Sequence, residues 1–363
     1  MSAIEGWPLL SRHKGKERRV PRRFGVLIAL LTLVAGCSSG SLDAAPRTIE
    51  PARAADSPPA SQNPAGVVRP LAGHAAAAVV DGSTHALAVL APGADPAAPA
   101  SLAVFDQKQA APRVVVLPGP ATALTVDGRG AVYLATRGGY FAVDLSTGHP
   151  AQVQVAGAQQ ADFTAIARRA DGRLVLGSAD GAVYTLAPPS SGNATTATVD
   201  SRNKLFARVD ALVTQGDTVV VLDQGQTSVT TIGTNGHAEQ ALRAGAGATT
   251  MAADSLGRVL VADTRGGELL VYGVDPLILR QAYPVRDAPY GLAGSRELAW
   301  VSQTASNTVI GYDLSTGIPV EKVHYPTVQQ PNSLAYDETS DTLYVVSGSG
   351  AGVQVIEHAT GTA

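Results

Sequence analysis

An all-β fold made of repeated antiparallel sheets is what this sequence predicts, on three observations. First, short β-rich runs are cut by Gly, Asn, Asp and Ser at high density, as in Pro289–Gly317, PYGLAGSRELAWVSQTASNTVIGYDLSTG. Second, the composition suits frequent turns around a sizeable core: 38 Gly and 23 Pro, 45% hydrophobic and only 16% charged residues. Third, the pattern repeats. Turn anchors recur at Asp81, Asp127, Asp171, Asp217, Asp254, Ser295 and Asp337, in steps of 46, 44, 46, 37, 41 and 42 residues. A period near 40–45 with three or four strands per unit is the signature of a β-propeller blade, so seven four-stranded blades are expected. A twisted sheet has two faces to bury, and neighbouring blades bury them radially.

Taken in order, the N-terminus comes first. Residues 1–23 carry Arg12, Lys14, Lys16, Arg18, Arg19, Arg22 and Arg23. Phe24–Ala35 has no charge, and small residues follow. A basic region, a short apolar region and a processing site read as a signal peptide over 1–36. The apolar stretch is well short of the roughly 20 residues needed to span a bilayer. The site itself, Leu33-Val34-Ala35-Gly36-Cys37, resembles the bacterial lipobox, which implies lipidation of Cys37, the single cysteine of the chain. An ordinary secretory signal with an incidental cysteine, and a twin-arginine signal at Arg22-Arg23, are the weaker alternatives. Two or more acyl chains suffice for stable attachment, so the membrane is an expected partner and the extracytoplasmic face the expected location. One cysteine also leaves no internal disulfide or thiolate metal site. Residues 37–66, rich in Ala, Pro, Ser and Asp without periodicity, are expected to be a flexible tether. Removing the seven basic and two acidic residues before Cys37 from totals of 27 and 30 leaves 20 and 28, a net of −8. A net-acidic domain argues against nucleic acid, whose binding rests on Lys/Arg neutralising phosphates. A monomer is expected.

The propeller domain is expected over 67–363. Its units are Gly73–Asp106, Pro120–Gly148, Phe163–Leu186, Val209–Ile232, Ala248–Tyr272, Pro289–Gly317 and Pro331–Ile356. Runs between them supply outer strands: Arg113–Leu117, Ala151–Val155, Ala194–Val199, Leu279–Val285 and Val320–His324. The seventh unit has little chain left after Ile356, whereas Val67–Gly73 precedes the first unit and matches Arg113–Gly119. The N-terminal strand is therefore expected to complete the last blade, with residues near Val68 pairing with Gly352–Glu357, which removes two exposed sheet edges.

Ala299–Gly317, AWVSQTASNTVIGYDLSTG, resembles the repeat of the YVTN-type (YncE-like) seven-bladed propellers, and Val132–Gly148 matches its last part. The fifth unit is also similar to NHL-type repeats. Units one, three and four depart from the pattern, and the first carries an insertion at Ala91–Pro99. Lipobox and propeller together, in an Ala/Gly/Arg-rich chain, resemble secreted lipoproteins of high-GC Gram-positive bacteria such as mycobacteria.

No catalytic motif stands out. His13, His74, His85, His149, His237, His324 and His358 occur singly, never in a ligand spacing, and there is no G-x-S-x-G elbow or Walker-type loop. Asp127, Asp171, Asp254 and Asp337 fall one per blade and suit turns closed by their own side chains rather than a metal. No cofactor or metal is expected. What remains is the ring geometry. Aligning units on the turn anchors puts Ala76, Thr122, Thr164, Asp210, Thr249, Tyr290 and Asn332 at equivalent places inside each first strand, around one axial mouth flanked by His74, Pro120, Pro289 and Pro331. Convergent polar groups in a concave mouth are the default ligand-site reading. The same groups can instead bond to backbone or channel water. Two function classes follow: an envelope-anchored binding or scaffolding module for a small ligand or envelope partner, or a propeller hydrolase or lactonase using the channel. A calcium-type lactonase needs an inner-ring Glu, which is not evident. A quinone-cofactor dehydrogenase needs repeated Trp, and only Trp300 follows Cys37.

Overall fold

The computed structural model describes residues 46–106, 111–188 and 194–361. The expected signal peptide, Cys37 and the first part of the expected tether lie outside these. The ring lies within one compact unit, Ala45–Ala363.

Seven sheets form that ring, each with four antiparallel strands running from the axis outward, and blade two carries a fifth, parallel strand on its outer edge. Blade one is Ala77–Val80, Leu87–Ala91, Ser101–Phe105 and Arg113–Val116, inner to outer. The burial gradient explains why the strands lie in this order. The second and third strands are continuous apolar runs such as Leu87–Ala91, buried on both faces, while the outer strands alternate or are exposed. Seven apolar clusters fill the seven gaps between neighbouring blades. One holds Leu134 and Phe141 of blade two against Leu90 and Leu102 of blade one, and another holds Tyr344 and Val353 of blade seven against Leu87 and Phe105 of blade one. The radial burial expected from the repeat is thus present at each interface.

Closure follows the expected route. Val67, Val68 and Arg69 pair antiparallel with Val355, Gln354 and Val353, so the N-terminal strand is the outer strand of blade seven. The join is reinforced at the turns between the first and second strands, where His85 Nδ1 of blade one lies 3.1 Å from Asp337 Oδ2 of blade seven. The aspartates at these turns do the work expected of them. Asp81 Oδ1 accepts the amides of Ser83 and Thr84, and its Oδ2 accepts the Gly130 amide of blade two. Burial pushes the Asp81 carboxyl up, but these amides and the Ser83 and Thr84 hydroxyls outweigh it and hold the group below its usual value.

Blade three departs from expectation. Its outer strand is Val199–Lys204, not Ala194–Val199. Thr196–Ala197 instead adds in parallel to the edge of blade two, pairing with Gln154 and Val155. Side-chain chemistry accounts for the shift: Arg202 Nε donates to Tyr184 Oη at 2.9 Å, and Lys204 Nζ lies 3.0 Å from Asp180. The charged strand thereby gains partners on the blade's solvent edge that β-propensity alone does not reveal. The outer strand of blade four, Ala238–Arg243, had no sequence candidate.

The described part of the expected tether also differs. Residues 46–66 carry no helix or strand, yet they are hydrogen-bonded along one end of the ring, from Ile49 N to Gly225 O (2.8 Å) through Pro58 O to Asn307 Nδ2 (2.7 Å). Its backbone groups are satisfied by side-chain and backbone groups on distant turns, so a composition without periodicity gave no sign of docking.

Candidate functional site

Each innermost strand begins at the same end of the ring, just after the connection from the preceding blade. A cavity of ≈ 310 Å³ opens there on the axis, and Ala76, Thr122, Thr164, Asp210, Thr249, Tyr290 and Asn332 all line it. Alignment on the turn anchors therefore brought together one residue from each of the seven blades. Small neighbours, among them Ala77, Ala123, Ala165, Ala211 and Gly291, keep the space open.

The polar members divide into two groups. The threonine hydroxyls are spent on the frame. Thr122 Oγ1 donates to Phe163 O at 2.7 Å and Thr164 Oγ1 to Val209 O, each reaching the next blade. Thr249 Oγ1 lies 2.6 Å from Thr264 Oγ1, which donates in turn to Pro289 O. Here the backbone-bonding alternative holds, and these residues stitch the mouth of the ring.

Asp210, Tyr290 and Asn332 are different. Asp210 Oδ2 accepts the Gln224 amide at 2.7 Å, and Oδ1 accepts Arg208 Nε at 3.0 Å. Its side chain is 11% exposed. Burial, the largest influence, pushes this carboxyl above its ordinary value. The Gln224 amide and Arg208 pull the other way, while the Asp223 charge adds to the rise. Burial likewise raises the Tyr290 hydroxyl. That hydroxyl has no hydrogen-bond partner among the described residues, nor does Asn332 Nδ2, whose Oδ1 accepts Gln330 Nε2 at 3.0 Å. The cavity thus presents a largely buried carboxylate, a phenol and an amide to any occupant. Among the described residues no three His, Cys, Asp or Glu side chains come close enough to hold a metal ion.

Two sets of residues were not found from sequence. Asp223 and Asp263, at the ends of second strands, are buried and collect amides of the preceding connections and of their own turns: Asp263 accepts Ala246 N (2.7 Å) and Gly247 N (2.8 Å) before the blade and Gly266 N (2.9 Å) in the turn after its own strand. They fix the loops from which Asp210 and Thr249 emerge. The second set, Thr304, Asn307, Gln329 and Gln330, receives residues 55–58. Its one signal is the amide run Gln329-Gln330-Pro331-Asn332, dense for a connection between blades.

The fold is shared with solved structures of low sequence identity. A chain of the mitotic checkpoint complex superposes with a TM-score of 0.67 at 11% identity, covering 84% of this chain and 98% of that one. U3-55K superposes with a TM-score of 0.64 at 13% identity, covering 81% of this chain and all of the other. Both are WD40-type propellers, and at this identity they show the fold alone. No protein-family model matches the chain, and no curated protein matches it in sequence.

Proposed function

We propose that this chain is a lipoprotein of the cell envelope, anchored through Cys37, whose propeller of YVTN-type repeats is a binding module for a small polar ligand in the axial cavity. The observation that carries the reading is the pairing of Asp210 with the unpartnered Tyr290 hydroxyl and Asn332 amide in a space of ≈ 310 Å³. That volume is at the small end of ligand pockets, suited to a molecule the size of a monosaccharide or amino acid. An occupant with a cationic or hydroxyl donor would meet the carboxylate, and its other polar atoms the phenol and amide.

A thermal-shift screen of the chain with sugars, amino acids, lactones and soluble envelope fragments tests this. A stabilising hit that carries a donor group is expected to lose at least tenfold in affinity in Asp210→Asn. Asp210 must be ionised to accept such a donor, and burial raises its carboxyl above the ordinary carboxylate value. Affinity is therefore expected to hold at neutral pH and to fall as pH drops through that raised value, and the fall should vanish in Asp210→Asn. Sustained turnover of a lactone or ester, abolished by the same substitution, would move the assignment to the hydrolase reading.

A further inference from the structure

The segment 49–58 lies in a groove on the mouth end of the ring, and the groove has the chemistry of a peptide site. Its walls are the turns and connections of blades four to seven, contributing Gly225, Arg265, Thr304, Asn307, Gln329 and Gln330. Almost every contact is to backbone. Ile49 N donates to Gly225 O, and Glu50 O accepts Arg265 Nη2 at 2.7 Å. Ala55 N donates to Thr304 Oγ1 at 3.1 Å, Ser57 O accepts Gln329 Nε2 at 3.1 Å, and Pro58 O accepts Asn307 Nδ2. Gln330 is the centre of the arrangement. Its Nε2 donates to Ala55 O at 2.9 Å while its Oε1 accepts Ser57 N at 3.0 Å. One carboxamide thus satisfies the carbonyl of residue i and the amide of residue i+2, the two groups a neighbouring β-strand would satisfy. The single side chain read is Ser57, whose hydroxyl donates to Thr304 O at 2.6 Å and accepts Gln330 N at 3.0 Å.

We infer that this groove is an exchangeable binding site for extended peptides rich in Ala, Pro and Ser, with residues 49–58 as its resident occupant. Recognition through backbone groups and one small hydroxyl is tolerant of sequence, as in strand-addition sites. The occupant turns its charged side chains and prolines to solvent, since Glu50, Pro51, Arg53, Asp56 and Pro58 are exposed, so few side chains specify it. Prolines predispose such a segment to the extended form and lower the ordering cost for an incoming peptide of the same kind. The inference does not rest on the axial cavity or on the anchor, because different atoms carry it.

The test uses the full chain carrying Ala55→Pro and Ser57→Pro, which removes the two amides that Thr304 and Gln330 accept and leaves the groove untouched. A fluorescent peptide of residues 47–60 is expected to bind this variant saturably. It should bind the wild-type chain at least tenfold more weakly, because the resident segment competes at high effective concentration. Adding Gln330→Ala to the double variant should weaken binding at least tenfold. Absence of saturable binding by a variant that melts at the wild-type temperature overturns the inference, as does binding indifferent to Gln330→Ala. If the variant does not fold, amide exchange in the wild-type chain decides. The Ala55 and Ser57 amides should be protected, yet exchange faster than the inner strands and faster still in Gln330→Ala. Exchange at the unprotected rate in the wild type overturns it.

Discussion

Replacing Gln354 with leucine is expected to destabilise the ring by ~3–5 kcal/mol. Gln354 is fully buried in the third strand of blade seven and faces the closure. Its Nε2 donates to Ala65 O at 2.8 Å and to Pro326 O at 3.0 Å, and its Oε1 accepts Val328 N at 3.0 Å. One side chain therefore ties the entry of the N-terminal strand, the end of the outer strand of blade six and the connection into blade seven. Leucine fills similar volume but leaves the Ala65 carbonyl and the Val328 amide without partners, each costing about 1–3 kcal/mol when buried. Pro326 O keeps the Ala65 amide. The closing strand has few other supports: it pairs over three residues, and Val67 and Val68 are 64% and 42% exposed. Chemical denaturation measures the loss, and amide exchange at Val67–Arg69 should accelerate with it. A change below ~1 kcal/mol would show that closure rests elsewhere.

Trp300→Ala is expected to cost ~3–5 kcal/mol for a different reason. The indole is fully buried in the second strand of blade six and packs in the gap to blade seven with Leu298, Leu343 and Val345. It stacks on Tyr336 with ring centroids 5.8 Å apart. Gly311 makes room for it, since a Cβ there would lie 2.9 Å from the ring. Alanine leaves a cavity the two sheets cannot collapse to fill. The indole Nε1, however, has no partner among the described residues. Trp300→Phe therefore removes an unsatisfied donor along with some volume, and its net cost is expected to stay below ~1.5 kcal/mol. Thermal or urea melts of the two variants separate packing from polarity. A phenylalanine variant as unstable as the alanine one would mean that the N–H has a partner after all.

The ring was legible because each blade repeats one local demand. An Asp or Ser at each turn, followed by an apolar run buried on both faces, fixes period, strand order and blade count together. Val67–Gly73 was readable as the closing strand because it resembles Arg113–Gly119 and the last unit lacked a strand. The axial positions followed from the same anchors, since equivalent residues in a ring share a radius. Which of those side chains remain available did not follow. Thr122 and Thr164 turn to the next blade while Tyr290 does not, and a one-dimensional alignment carries no such direction. The docking of 46–58 was hidden for a related reason. Its partners, from Gly225 to Gln330, are between about 175 and 275 residues away in sequence, and, Ser57 aside, they bind backbone, which leaves little mark on the segment's own side chains. In blade three the sequence pointed to Ala194–Val199 and not to the charged Val199–Lys204, because charge is read as loop although outer strands face solvent and tolerate it.

The axial cavity as the ligand site is tested most directly by plugging it. Ala76 is exposed at the mouth, so Ala76→Trp fills the opening without displacing any buried side chain. Calorimetric titration of a screening hit into wild type and plugged variant is the measurement. Binding to the wild type that drops at least tenfold in Ala76→Trp, with an unchanged melting temperature, is the predicted result. Equal affinity for both would contradict it and place the ligand outside the axis.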